Sequence, residues 1–178
     1  TVRIATEDPA EQREVLDRTA EWIQRADLSL SPAEISTAVY RIVSGVTGVA
    51  DPFREMKVRT NREALALVPR LRERLARSGD RLSTALHLAV AGNVIDLGIG
   101  HAFSLGEDVD RILEIPFAAD DTEVFRRELR PGIRLLYLGD NSGEIVFDRL
   151  LVEILLEEGA EVTFAVKSGP IINDALMA

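Results

Sequence analysis

The chain has 178 residues, of which 46% are hydrophobic and 29% charged, and it carries a formal net charge of −9 with a pI near 4.8. That length suits one domain, or one domain with a small helical cap, and the apolar fraction is enough for a real core. So acidic a surface repels nucleic-acid backbones, no apolar run approaches the roughly 20 residues of a membrane span, and the lack of Cys excludes disulfides and thiolate zinc sites.

In chain order, the first 130 residues read as a mainly helical subdomain. Asp8-Pro9 opens a helix along which Val15, Leu16, Thr19, Trp22 and Ile23 recur at helical spacing. Ser31-Pro32-Ala33-Glu34 is a capping box with Pro at the first helical position, and it predicts a helix through Ile35, Val39, Ile42 and Val43 that ends near Gly45 or Gly48. Asp51-Pro52 starts a long amphipathic helix running to about Ser78-Gly79. Its Arg70, Arg72, Arg74 and Arg77 alternate with apolar residues, with Glu63 and Glu73 on the same segment, and so read as a solvated face rather than a polyanion site. Asp80 starts an Ala- and Leu-rich helix to about Leu97, Gly98 to Gly106 marks a loop, and short helices are expected around Asp108 to Glu114 and Asp121 to Leu129.

The pattern changes at Arg130-Pro131-Gly132. Ile133 to Leu138 reads as a buried parallel strand, Gly139 to Gly143 as a turn, Glu144 to Glu158 as an amphipathic helix and Glu161 to Val166 as a second strand. This βαβ unit makes residues 131–178 the start of a Rossmann-like α/β domain, and the fold class is α/β. Two strands do not make a stable doubly wound sheet. The reading therefore expects an incomplete sheet, continued beyond Ala178 or by a partner chain, with another helix beginning after Asn173-Asp174.

In open parallel sheets, ligands bind beyond the carboxyl ends of the strands. Asp140 and Asn141 stand at the end of the first strand and Lys167 at the end of the second. Asn173 and Asp174 follow a loop containing Gly169-Pro170 that can fold back over the same edge. Two carboxylates, two amides and an ammonium would share that crevice, and such hard oxygen donors suit Mg²⁺ or Mn²⁺. Taken singly, each piece has an ordinary explanation. Asp-Asn before Gly is common turn chemistry, Asn173-Asp174 could be a helix N-cap, and a Lys after a strand is usually a surface residue. Asn93 and Asp96 lie three apart on one face of a helix that otherwise looks buried; they either cap its C-terminal end or line the crevice.

Four segments resemble the damage-control phosphatase family: Asp51 to Lys57, Gly92 to Asp96, Gly139 to Glu144 and Val166 to Asp174, in that order along the chain. The resemblance implies a helical part joined to a Rossmann-like part, and a phosphatase acting on phosphate esters of sugars or other small metabolites with Mn²⁺, Co²⁺, Ni²⁺ or Mg²⁺. By that match Asp140, Asn141 and Asp174 fall on metal ligands, Lys167 on a phosphate contact, Asn93 and Asp96 on positions lining the site, and Glu144 beside the metal loop. Leu176 stands where the family usually carries Thr, and many relatives begin upstream of the position of Thr1 and continue past Ala178.

The mechanism so implied is metal-assisted hydrolysis, with Asp140 or Asp174 accepting a proton from water, and Lys167 and backbone N–H groups of the Gly139 to Gly143 turn stabilising phosphoryl charge. An aspartyl-phosphate route fits less well, because Ser142 stands where that chemistry places a second Asp. One rival is a nucleotide- or S-adenosylmethionine-binding Rossmann domain, such as a methyltransferase. It lacks the closely spaced glycines and ends its second strand in Lys167 rather than an acid. Another is a non-catalytic helical interaction module. The expected partner is a small phosphorylated metabolite, with no nucleic acid and no membrane, in a cytoplasmic protein that could equally be a monomer or a homo-oligomer.

Overall fold

The computed structural model describes residues 1–27, 29–94 and 111–177. Its helices are α1 (Val2–Ala5), α2 (Pro9–Ile23), α3 (Pro32–Thr47), α4 (Arg54–Arg77), α5 (Arg81–Val94), α6 (Thr122–Glu128) and α7 (Glu144–Glu157), with strands β1 (Arg134–Leu138) and β2 (Glu161–Ala165) flanking α7. The mixed α/β class expected from the sequence is observed, mostly helical with one small parallel sheet. Most of the region between Leu97 and Glu114, including the helix expected from Asp108, lies outside the described residues.

The helix starts follow from capping. Asp8 accepts the Ala10 N–H at 2.8 Å. Ser31 and Glu34 form the reciprocal box: Glu34 Oε2 takes the Ser31 N–H at 2.9 Å and Ser31 Oγ takes the Glu34 N–H at 3.4 Å. At the other end of α3, Gly48 adopts φ 69°, the left-handed cap that a residue without Cβ reaches at no steric cost.

The core is shared between the helical region and the βαβ unit. α5 packs on α7, and α4 lies against both. Leu71, Leu75, Leu82, Leu88, Phe147, Leu150 and Ile154 are buried in this one cluster. The closest approach is at Gly92, where a Cβ would stand 2.8 Å from the Phe147 Cβ. Across the outer edge of the same layer Arg72 forks onto Glu153 at 2.8 and 3.0 Å, so this member of the arginine run ties α4 to α7.

β1 and β2 are direct parallel neighbours, in a register that sets Leu136 opposite Thr163 and Leu138 opposite Ala165. Leu135, Tyr137 and Val162 pack toward the core. Leu136 and Leu138 point the other way and are 67% and 71% exposed. The sequence reading expects a strand buried on both faces; here α7 covers one face, and among the described residues none covers the other. A second difference lies after Asn173-Asp174. Residues 174–177 are extended rather than helical, because the Ala175 N–H is taken by the Asp140 carbonyl at 2.7 Å and the Ala175 carbonyl accepts from Lys167 N at 3.2 Å. Among the described residues no helix is long and apolar enough to cross a membrane.

One buried acid titrates within this core. Asp148 on α7 is 3% exposed, and the Tyr137 hydroxyl donates to its Oδ1 at 2.7 Å. Burial, reinforced by the charges of Glu144 and Asp140, pushes its carboxyl up to about 6 against the pull of that hydrogen bond. The folded value exceeds the unfolded one of about 3.9, so the stability tied to the protonated form is complete below about pH 4 and is lost as pH rises through 6. Urea unfolding of the parent from pH 4 to 7 should reveal a loss of about 2–3 kcal/mol from this group, at 1.4 kcal/mol per unit. Asp148→Asn should flatten that part of the profile; parallel profiles for the two proteins would disprove the assignment.

Candidate active site

The loop after β1 has its shape because of what surrounds it. Gly139 lies against the Phe164 ring, and a Cβ there would fall 2.6 Å from it. Gly143, at φ 89°, turns the chain into α7. Three backbone bonds then join this loop to the one after β2. Ser142 N donates to Asn173 O at 2.8 Å, Ala175 N to Asp140 O at 2.7 Å and Lys167 N to Ala175 O at 3.2 Å. Asn141 and Asp174 thus become antiparallel bridge partners, and Lys167 and Leu176 parallel ones.

That stitching brings four of the sequence-derived residues together at the carboxyl ends of the strands. Lys167 Nζ lies 3.3 Å from Asp140 Oδ1 and 3.5 Å from Asp174 Oδ2, between the two carboxylates. The Asp140 side chain is 52% exposed and that of Asp174 14%. Burial, then the charge of Asp140, raises the Asp174 carboxyl above its ordinary range, with Lys167 pulling it back. The Lys167 ammonium is itself raised, first by its hydrogen bond to Asp140. Asn141 Nδ2 donates to Glu144 Oε2 at 3.2 Å and Asp140 Oδ2 at 3.4 Å, which leaves its amide oxygen free to face a ligand.

The remaining residues differ in role. Glu144 accepts from the Asn141 backbone at 3.3 Å and from Asn93 Nδ2 at 3.0 Å, so it organises the loop from the N-terminus of α7, where an acid is also favoured by the helix dipole. Asn93 is exposed rather than buried and reaches the site only through Glu144. Asn173 contributes its backbone carbonyl. Asp96 lies outside the described residues. The turn amides expected to hold phosphate are engaged inside the protein: Gly139 N by Ala165 O, Asn141 N by Glu144, Ser142 N by Asn173 O, and Gly143 N by Asn61 Oδ1 at 2.6 Å.

Residues from the helical region complete the surroundings, and sequence reasoning gave them no role. Asn61 holds Gly143. Tyr40 on α3 accepts the Ile172 N–H at 2.6 Å and braces a residue at φ 39°, a conformation costly for a β-branched side chain. Lys57, 6% exposed, lies 2.6 Å from Asp51. The available signal was polar residues at helical spacing, Lys57 and Asn61, on the stripe of α4 that also buries Thr60 and Ala64. A cavity of about 290 Å³ opens beside Lys167, lined by Thr37, Tyr40, Arg41, Ser44 and residues 168–171. A larger hollow of about 470 Å³ lies along α4 at Arg70, Glu73 and Arg77, away from the converging acids.

The donor set can be weighed against a divalent cation. Two carboxylates and an amide oxygen converge, and an ammonium already occupies the position between the acids where a positive charge is favoured. Among the described residues no cage of three or more acidic, His or Cys ligands exists. A hard cation of the Mg²⁺ type needs only one or two carboxylates because it keeps water and phosphate oxygens, so the residues present fit it.

A parallel β-α-β unit with acids and a lysine at its carboxyl edge, buttressed by helices, defines an α/β protein with a candidate phosphoryl site. The whole chain, residues 1–178, matches the damage-control phosphatase ARMT1-like domain, and it belongs to that family. It is 31% identical, over 97% of its length, to an uncharacterized protein of Methanocaldococcus jannaschii. It is 35% identical, over 80% of its length, to a protein of Archaeoglobus fulgidus named damage-control phosphatase, and 31% identical, over 98%, to one of Pyrococcus horikoshii with the same name. The chain spans 59%, 50% and 61% of those three relatives. The crystal structure of a DUF89-family protein from Pyrococcus horikoshii superposes with a TM-score of 0.84 at 30% identity, covering 98% of this chain and 61% of that one.

Proposed function

We propose that this chain carries the cation-binding part of a divalent-metal-dependent phosphatase acting on phosphate esters of sugars or other small metabolites. The observation that carries the reading is Lys167 set between Asp140 and Asp174, beside an Asn141 amide oriented by Glu144. Family membership and two relatives named damage-control phosphatases support it.

Asp140, Asn141 and Asp174 would hold Mn²⁺, Co²⁺, Ni²⁺ or Mg²⁺, which supplies Lewis-acid polarisation of phosphoryl oxygen and acidification of water. Lys167 is exposed enough to leave one carboxylate and bind a phosphate oxygen, which balances charge as the phosphoryl group loosens. Asp174, more buried and with its carboxyl raised, is the better placed of the two acids to accept a proton from attacking water, and Asp140 is the alternative. The cavity beside Lys167 would seat the organic part of the ester, and its Thr37, Arg41 and Ser44 lining favours hydroxylated or anionic groups. A cofactor-binding Rossmann loop would present free amides to pyrophosphate, whereas here those amides are consumed within the protein.

The test is phosphate release from p-nitrophenyl phosphate and a panel of sugar phosphates by the full-length protein, with each of the four cations and with a chelator. Turnover that needs the cation is the expected result. A folded, metal-replete full-length protein that releases no phosphate from any of them would sink the reading.

A further inference from the structure

Lys57 is a buried ammonium whose surroundings are unfinished. It is 6% exposed, on the face of α4 that meets the β1 loop. Four residues on, about 6 Å along the helix, Asn61 grips the Gly143 amide. Asp51 lies 2.6 Å from Lys57 Nζ but out of hydrogen-bonding alignment, and among the described residues the ammonium meets no acceptor. A lysine has three N–H donors, and leaving them unmet in the interior is costly, so native proteins supply water, an ion or a ligand there. Asp51 itself is fixed, since its Oδ1 also takes the Phe53 N–H at 3.2 Å. The charge of Lys57 is felt at Asp174, which places the two on one side of the crevice. The turn amides are consumed internally, so a phosphate held there needs cationic donors from elsewhere.

We propose that Lys57, held in place by Asp51, is a second oxyanion-binding ammonium of this site, opposite Lys167, and that its ligand is a phosphate oxygen. The proposal rests on the phosphatase reading for its location and makes a separate claim about binding. A purely structural ion pair is its rival. That rival has its own signature, because removing one partner orphans a buried charge while removing both restores balance.

The test titrates orthophosphate into the full-length protein by calorimetry, with and without Mn²⁺, for the parent, Lys57→Met, and the double variant Asp51→Asn with Lys57→Met, below the melting transition of each. The expected result is at least about a tenfold loss of orthophosphate affinity in both variants, with Mn²⁺ affinity changed less than about threefold, since loss of one charged hydrogen bond is worth a factor of this order. Recovery of parental phosphate affinity in the double variant would assign the pair to structure alone and overturn the proposal. If the parent binds no Mn²⁺, the metal reading fails by itself. Phosphate binding that still depends on Lys57 would then sustain this inference, and phosphate binding indifferent to Lys57, or none at all, would end it.

Discussion

Asp174→Ala should abolish metal-dependent phosphate release, by on the order of 10³-fold, while leaving the metal-free protein at least as stable as the parent. The first half follows from the donor set. With Asp174 gone, Asp140 is the one carboxylate left on Lys167, and several kcal/mol of charge stabilisation disappear, at about 1.4 kcal/mol per decade of rate. The second half follows from electrostatics. The Asp174 carboxyl is raised in the fold, first by burial and then by Asp140. The stability tied to its protonated form is present below the unfolded value and lost as pH rises through the folded one, so at neutral pH its charge is a net cost. Alanine relieves that cost, and Lys167 keeps Asp140. Thermal melts with and without Mn²⁺ check both halves. The parent should gain about 2.7 kcal/mol at a hundredfold excess over Kd, and the variant should gain almost nothing. Asp140→Ala should behave alike in activity. A variant that melts lower than the parent without metal but still responds to it would refute the assignment.

The largest loss of stability is expected from Phe147→Ala, at about 3–5 kcal/mol, a substantial part of the 5–15 kcal/mol that holds a typical domain together. Phe147 is fully buried, and its Cβ nearly touches the backbone of Gly92, so α5 and α7 are in contact there without room to collapse further. Removing the ring opens a cavity that rigid helices on both sides cannot close. The urea midpoint should fall while the slope of the transition stays unchanged, since the surface exposed on unfolding is nearly the same. A drop below about 1 kcal/mol would mean that the layer repacks freely, contrary to the close helix approach at Gly92.

The parts of this molecule legible in its sequence are those governed by near neighbours. The Ser31–Glu34 capping box, the end of α3 at Gly48 and the β1-α7-β2 unit each depend on a few consecutive residues with one physical reason, and each appears in the structure. The convergence of Asp140, Asn141, Lys167 and Asp174 followed from strand order and the rule for carboxyl edges. Residues 174–177 went astray because Asn173-Asp174 carries a local capping signal, whereas the Asp140 carbonyl, over thirty positions earlier, takes the amide that a helix would have left free. Asn93 went astray for a related reason. The Ala/Leu pattern around it predicts burial, but it stands on the rim, within reach of Glu144. Tyr40, Lys57 and Asn61 gave no legible function because their partners are set by docking of whole helices, and a sequence shows only that polar residues occupy a stripe that ought to be apolar.

The Tyr40–Ile172 hydrogen bond closes a span of 132 residues, whereas Lys167–Asp140 closes 27. At about 0.6 kcal/mol of chain entropy per doubling, the longer closure costs roughly 1–1.5 kcal/mol more. The brace on the strained Ile172 therefore forms late in folding, after α3 has found the sheet edge. Two carboxylates can be brought near one lysine by the β1-α7-β2 unit alone, but the turn that presents Asp174 is held in shape by a helix from the opposite end of the chain. Any loosening of that helix is transmitted to the acid before it reaches the sheet, which makes the geometry of this crevice a readout of how completely the chain has closed upon itself.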